Sequence, residues 1–551
     1  MAVCETEKAR IAPVLLQQTA VLDSAHVGDI TGALGTIRRG DMAARRGWSA
    51  RLKTLLAILG PGLIVMVGDN DAGAFGTYTQ AAQNYGTALL WTLLLLVPVL
   101  YVNQEMVLRL GAVTRVGHAR LILERFGKFW GAFSVIDLFL LNALTIVTEF
   151  IGLTLAFNYL GISKIWGVVA AAVLVMAAAS TGSFRRFERF SLILVVGSLL
   201  LVPIFLMIHP PAGQLVHDLF VPGMPKNAPS ADVMLVIIAI VGTTVAPWQL
   251  FFQQSYVVDK RITPRFIRYE RIDLWLGIAF VVVGAVAMMA FTAAAFAGKP
   301  EFGHFVDAGA VSDGLDKYAG HAAGVMFAVA LIDACIIGAS AVSLSTAYAI
   351  GDVFALRHSL HRKPSEAIGF YAVYFGLIVL SAALVLTPNV PLGLLTNAVQ
   401  TLAGVLLPGA TVFLLLLCND KAVLGPWANT NRLNLLTSVI IAVLVMLSII
   451  LTASVLFPGI TGAEIETVLV GGSLIAGAVA VVVALRRRDQ STAETFSRAA
   501  RDAWQMPPLD KLPPGRLTPI NRLWMIILRG YLIVAGGLVL VRIVELVVSG
   551  R

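Results

Sequence analysis

Charge is what this 551-residue chain has least of. Only 13% of its residues are Asp, Glu, Lys or Arg, against roughly 25% in a soluble globular protein. Single cores stop growing at roughly 250–300 residues, so a soluble chain of this length should show polar linkers between domains. Apolar runs of about 20 residues, the length that crosses a bilayer, stand there instead, and the mean hydropathy is +0.83. Cysteine is nearly absent: Cys4, Cys335 and Cys418 lie far apart and provide neither a disulfide framework nor a CxxC metal site. No secretory signal is expected in the first 50 residues, which carry several arginines and no apolar stretch of that kind. No nucleophile–base pair and no His-rich cluster stands out, so neither an enzyme nor a resident cofactor is expected. The net charge of +9 would suggest nucleic acid in a soluble protein. Here the excess sits in short loops between apolar runs, where it orients a chain in the membrane, and no nucleic-acid partner is expected.

What is there is an all-α polytopic membrane protein. Segments are expected at roughly 54–78, 87–110, 131–159, 165–180, 190–208, 232–256, 274–297, 324–350, 368–387, 391–417, 434–456 and 466–485, with a further one near 523–547. With a cytoplasmic N-terminal tail, 1–53, alternation places the loops holding Arg109–Lys128, Arg185–Arg189, Lys260–Arg271, Arg357–Lys363, Lys421–Arg432 and Arg486–Arg488 inside. The intervening loops hold few Lys or Arg, as the positive-inside rule requires. The polar stretch 486–522, with Pro507, Pro508, Pro513 and Pro514, reads as a cytoplasmic linker. The 523–547 run either spans or lies in the interface. The chain is expected in a cell membrane as a multi-pass protein whose partners are the lipid bilayer and a transported ion; a monomer suffices for this reading.

Two segments are interrupted at their middles, at Val67-Gly68-Asp69-Asn70-Asp71-Ala72-Gly73-Ala74 and at Val241-Gly242-Thr243-Thr244-Val245-Ala246-Pro247-Trp248-Gln249. Gly and Pro break a helix and free backbone groups that lipid cannot satisfy, which is tolerated at membrane depth only where the backbone lines a cavity or binds something. The interrupted segments are the first and sixth. Segments 1–5 (54–208) and 6–10 (232–417) therefore run with opposite topology, an inverted repeat of the kind found in secondary transporters, followed by two further helices, 434–485. An aspartate near the midplane costs at least about 2.5–3.5 kcal/mol on insertion scales. Asp69 and Asp71 are either structural carboxyls or ligands. No Lys or Arg in the sixth segment can pair with them, so a bound cation is the natural counter-charge. Asn70 and Gln249 are direct or water-mediated ligand candidates in what would be a hard oxygen site. Asp333 and Asn397 read as packing or gating groups, and Glu105 with Arg109, spaced i,i+4, as an ion pair.

Gly60-Pro61-Gly62-Leu63, Val67-Gly68 and Asp71-Ala72-Gly73-Ala74 resemble the opening of the Nramp family of divalent-metal transporters, which has Asp-Pro-Gly-Asn at the first break and Met-Pro-His at the sixth. Tyr85-Gly86, Leu90-Trp91, Arg109-Leu110-Gly111, Gln400 and Pro408 also fit. The resemblance implies a leucine-transporter-type fold with alternating access. It also implies that Asp71 stands at the ligand aspartate, that Gln400 faces the site, and that a ligand carbonyl falls on Thr243. The departures implied are Ala74 for the ligand asparagine, Ala246 for the methionine and Trp248 for the histidine, with Pro247 kept. A thioether helps select softer transition metals, and its loss removes discrimination against Mg2+, which keeps several waters and binds through one or two carboxylates. The pattern is similar to the Nramp-related magnesium transporters. It implies Mg2+ transport, with Mn2+ also carried, and weak or no proton coupling, since Trp248 replaces the histidine and Ile146 a relay aspartate. Glu149 is then a structural carboxyl or a relay remnant. Two alternatives stay open: a proton-coupled Mn2+/Fe2+ transporter of the same family, and an amino-acid or nucleobase transporter of the same fold.

Overall fold

The computed structural model describes residues 20–225, 228–388, 392–457, 460–486, 498–513 and 515, with scattered positions between 525 and 541. The 523–547 segment and most of the 486–522 linker therefore lie outside the described residues. A short strand pair, β1 (Ile30–Thr31) and β2 (Thr36–Ile37), precedes the helices. The first interrupted span comprises α1 (Trp48–Ile58), α2 (Pro61–Val67) and α3 (Ala72–Tyr85). Next come α4 (Trp91–Thr114), a short α5 (His118–Phe126), α6 (Lys128–Tyr159), α7 (Lys164–Ala179) and α8 (Phe184–Ile208). After α9 (Ala212–Phe220), the second interrupted span is α10 (Ser230–Thr244) and α11 (Pro247–Asp259). The longer helices that follow are α12 (Ile267–Phe296), α13 (Ala308–Ala319), α14 (His321–Val353), α15 (Ile368–Leu386), α16 (Leu392–Cys418), α17 (Asn431–Leu456) and α18 (Gly462–Arg486). Among the described residues eight helices are long and apolar enough to cross a membrane, or ten if each bent pair is one span. The short α7, 16 residues, is apolar as well.

The packing follows the repeat. α6 runs along α14, the third span against the eighth. The first span packs on α12, the seventh, just as the sixth packs on α4, the second. The broken spans thus sit inside, held by equivalent neighbours from both halves.

The first span begins at Trp48 rather than near 54, because it bends by 52° between α1 and α2. Gly60 at φ 151° makes that bend, a conformation side chains resist. Both helix ends exposed by it are satisfied. The Lys260 Nζ donates to the carbonyls of Ile58 (2.5 Å) and Leu59 (2.9 Å) at the end of α1. The Asp273 carboxylate accepts from the amides of Gly60 (3.0 Å) and Gly62 (2.6 Å) at the start of α2. Cation on carbonyl end and anion on amide end is the arrangement the helix dipole favours. Lys260 also pairs with Glu188 at 2.6 Å, both side chains fully buried.

Of the tail expected at residues 1–53, the described part, 20–53, packs on the helices. Asp23 accepts from Arg362 at 2.6 Å and from the His358 amide at 2.9 Å. Arg261 donates to the carbonyls of Ala25 and Asp29, and Arg265 to those of Asp41 and Ala43. A stretch without apolar periodicity folds here because basic loops supply the donors its backbone needs.

Candidate metal site between the two broken helices

At the first break the chain leaves the helix at Gly68 and makes two overlapping four-residue turns, with Asp69 N on the Met66 carbonyl (3.2 Å) and Asn70 N on that of Val67 (3.1 Å). Asp71 then caps α3, its Oδ1 accepting from the Ala74 amide at 2.9 Å. Glu149 of α6 reaches the same helix start, its Oε2 accepting from Ala72 N at 3.2 Å, and lies within hydrogen-bonding reach of Asp71. Two carboxyls at one amide-rich helix terminus is where a bilayer-depth anion is least costly. At the second break Val245 and Ala246 are extended and Pro247 opens α11, since Pro disfavours helix in the residue before it and offers no N–H. The carbonyl ends of α2 and α10 therefore terminate at the site, and their partial negative charge favours a cation.

The two breaks are tied together. Gln249 donates its amide to Asp69 Oδ1 and accepts from Gln104 of α4 at 2.9 Å. Tyr78 of α3 and Thr244 of α10 join hydroxyls at 2.7 Å. Trp248 is buried against Gly68 and its carbonyl accepts from Ser345 at 2.9 Å. Asn70 turns its amide to the Val281 carbonyl of α12 at 3.3 Å. Asp69, Asn70, Asp71, Thr243, Ala246 and Gln249 are all buried, none more than 8% exposed, so the site is closed from both sides.

Several buried oxygens around the two breaks have no hydrogen-bond partner: Asp69 Oδ2, Asn70 Oδ1, Gln104 Oε1 and Thr243 Oγ1. Unsatisfied buried acceptors are rare and call for an explanation such as an ion or water. Among the described residues no group of three or more His, Cys, Asp or Glu could hold a metal, and neither Asp69 nor Asp71 has a basic partner in any ion pair. The arrangement can take a cation through one or two carboxylates and neutral oxygens, with water completing the shell.

Asp69, Asp71, Asn70, Thr243, Ala246 and Gln249 thus fall at the two breaks, with Ala74, Pro247, Trp248 and Glu149 around them. Gln400 lies on α16, its side chain outside the described residues. Glu105 and Arg109 pair at 3.2 Å, and Arg271 joins Glu105 at 2.5 Å. Sequence reasoning missed Gln104, Tyr78 and Thr244. The run Asn103-Gln104-Glu105 inside an apolar helix was an available signal for the first.

Broken helices, an inverted repeat and an enclosed polar site are the marks of a membrane transporter. Residues 62–454 match the family model Nramp, natural resistance-associated macrophage protein-like, and the chain belongs to that family, one of transporters rather than enzymes. A divalent metal cation transporter, MntH, of Ralstonia nicotianae is 29% identical over 397 residues, 68% of this chain and 86% of the relative. That of Burkholderia ambifaria is 28% identical over 425 residues, 74% and 90%. Among solved structures, a manganese transporter of Eremococcus coleocola in complex with an aromatic bis-isothiourea substituted compound superposes with a TM-score of 0.60 at 19% identity, covering 81% of this chain and 98% of that one. At that identity the likeness speaks for the fold.

Proposed function

We propose that the chain carries divalent metal ions across a cell membrane, Mg2+ foremost and Mn2+ as well, with weak or no proton coupling and with its basic loops and N-terminus in the cytoplasm. The observation that carries this reading is the set of unpartnered buried oxygens around Asp69 and Asp71. Asp71, and through Gln249 also Asp69, offer the carboxylates; Thr243, Asn70, Gln104 and Gln400 offer neutral oxygens directly or through water. Ala246 and Ala74 contribute no donor, so neither sulfur nor imidazole favours softer ions. Such a site resembles what the Nramp-related magnesium branch would need. Carriage of manganese and iron with a proton is the competing reading; the names of the relatives bear on its manganese alone. The same acidity that suits a cation would repel the anionic group of an amino acid, which counts against an organic cargo.

The test is flux into liposomes loaded with a divalent-ion indicator. Asp71→Ala should abolish Mg2+ and Mn2+ flux while the protein keeps its elution profile and thermal transition; retained flux would refute the site. With a pH dye in the same liposomes, acidification that tracks metal uptake would refute weak coupling. Proton movement would then be assigned to the Asp71–Glu149 neighbourhood.

A further inference from the structure

The strand pair lies against the first turns of α8, on the face whose loops are basic. Arg185 donates its Nε to the Gly32 carbonyl at 3.1 Å and another N–H to Thr36. Arg189 donates its Nε to the Ala33 carbonyl at 3.0 Å. Glu188, between them in sequence, turns the other way: it accepts from the Ala33 amide and pairs with Lys260. Its charge is thereby committed inward, and among the described residues no carboxylate pairs with Arg185 or Arg189. Between strand pair and helix a cavity of about 780 Å³ opens outward. On its helix wall, Arg185, Arg189, Ile193 and Val196 follow each other at i+4, i+4 and i+3, one face of the helix. That face changes from cationic to apolar over two turns. Ile193 and Val196 are 69% and 64% exposed, and Leu34 on the hairpin is 55% exposed, the condition of groups that meet lipid.

We propose that this cavity holds an anionic phospholipid of the cytoplasmic leaflet. The guanidiniums, whose terminal N–H groups form a fork suited to phosphate, take the headgroup, and an acyl chain runs along Ile193 and Val196. A free phosphate would leave the apolar half unfilled, and an acidic peptide would have to enter hydrocarbon depth to fill it. Because the same two arginines grip the hairpin backbone, bound lipid fastens the N-terminal segment to α8.

The experiment uses the full chain, purified and delipidated in mild detergent, and native mass spectrometry with added phosphatidylglycerol, phosphatidylcholine or inorganic phosphate. One phosphatidylglycerol should be retained at least tenfold more strongly than phosphatidylcholine. Arg185→Ala/Arg189→Ala should abolish that difference, and Ile193→Glu should do so with both guanidiniums intact. Should the double variant fail to fold, wild-type protein with dioctanoyl phosphatidylglycerol against glycerophosphate decides alone, with the lipid expected to bind at least tenfold more tightly. Equal retention of the two lipids, or glycerophosphate binding as well as the lipid does, would overturn the proposal.

Discussion

At the scale of single residues, the site is legible where chemistry is forbidden by its surroundings. An aspartate inside an apolar run announces itself without any structure, and so does a proline; Asp69, Asp71 and Pro247 needed only the sequence. Gln104 is different. Its importance lies in contacting Gln249, 145 residues away, and no periodicity reports a contact across that separation. The same holds for Tyr78 and Thr244, 166 residues apart. Two expectations follow. Ala246→Met should restore a soft donor beside Pro247 and shift the ratio of Mn2+ to Mg2+ flux upward by about tenfold, roughly 1.4 kcal/mol of differential binding; an unchanged ratio in a competition assay would remove the sulfur-free account of selectivity. Gln249→Leu should strip Asp69 of its donor and leave Gln104 unpaired, at about 1–3 kcal/mol for each stranded group. Apparent metal affinity and unfolding temperature should fall together.

At the scale of elements, the bend between α1 and α2 is held by buried charges. Lys260 satisfies two carbonyls and one buried carboxylate at once. Lys260→Met should cost about 3–5 kcal/mol, the usual consequence of stranding one member of a buried pair. Lys260→Met/Glu188→Gln should recover part of that loss; chemical unfolding of both variants checks it. The sequence showed the helices and their breaks because apolar length and Gly/Pro punctuation are local. It did not show the bend at residue 60 or the ordered hairpin, which depend on donors supplied by distant loops. The loop near His358 carries a pH dependence. Burial opposes the His358 charge, but the Asp352 carboxylate at 3.0 Å outweighs it and raises the imidazole to about 9. Asp23 and the buried His26, whose ring meets it edge-on at 5.1 Å, complete its surroundings. Its folded-state pKa lies above the ordinary 6.5. The stability it contributes, about 3 kcal/mol, is therefore complete below about pH 6.5 and lost as pH rises through about 9. Proteolysis of the N-terminal segment should accelerate across that interval, and His358→Gln should flatten the profile.

At the scale of the whole molecule, the charge of the loops favours the proposed orientation, with the N-terminus inside. A cysteine introduced by His304→Cys, in a chain with Cys4, Cys335 and Cys418 replaced, should react with an impermeant maleimide added outside intact cells. One introduced by Arg357→Cys should react only after permeabilisation. Labelling in the reverse order would invert the topology and place the hairpin on the outer surface.

The hairpin also bears on how the protein is made. Residues near the start of the chain, Asp23 and His26, find their partners in His358 and Arg362, which a ribosome delivers more than 300 residues later. Arg185 and Arg189, then Arg261 and Arg265, reach the segment earlier. The Asp23–His26 end waits for its last partners while eight spans enter the bilayer, and its contacts are complete only when the loop before the ninth emerges.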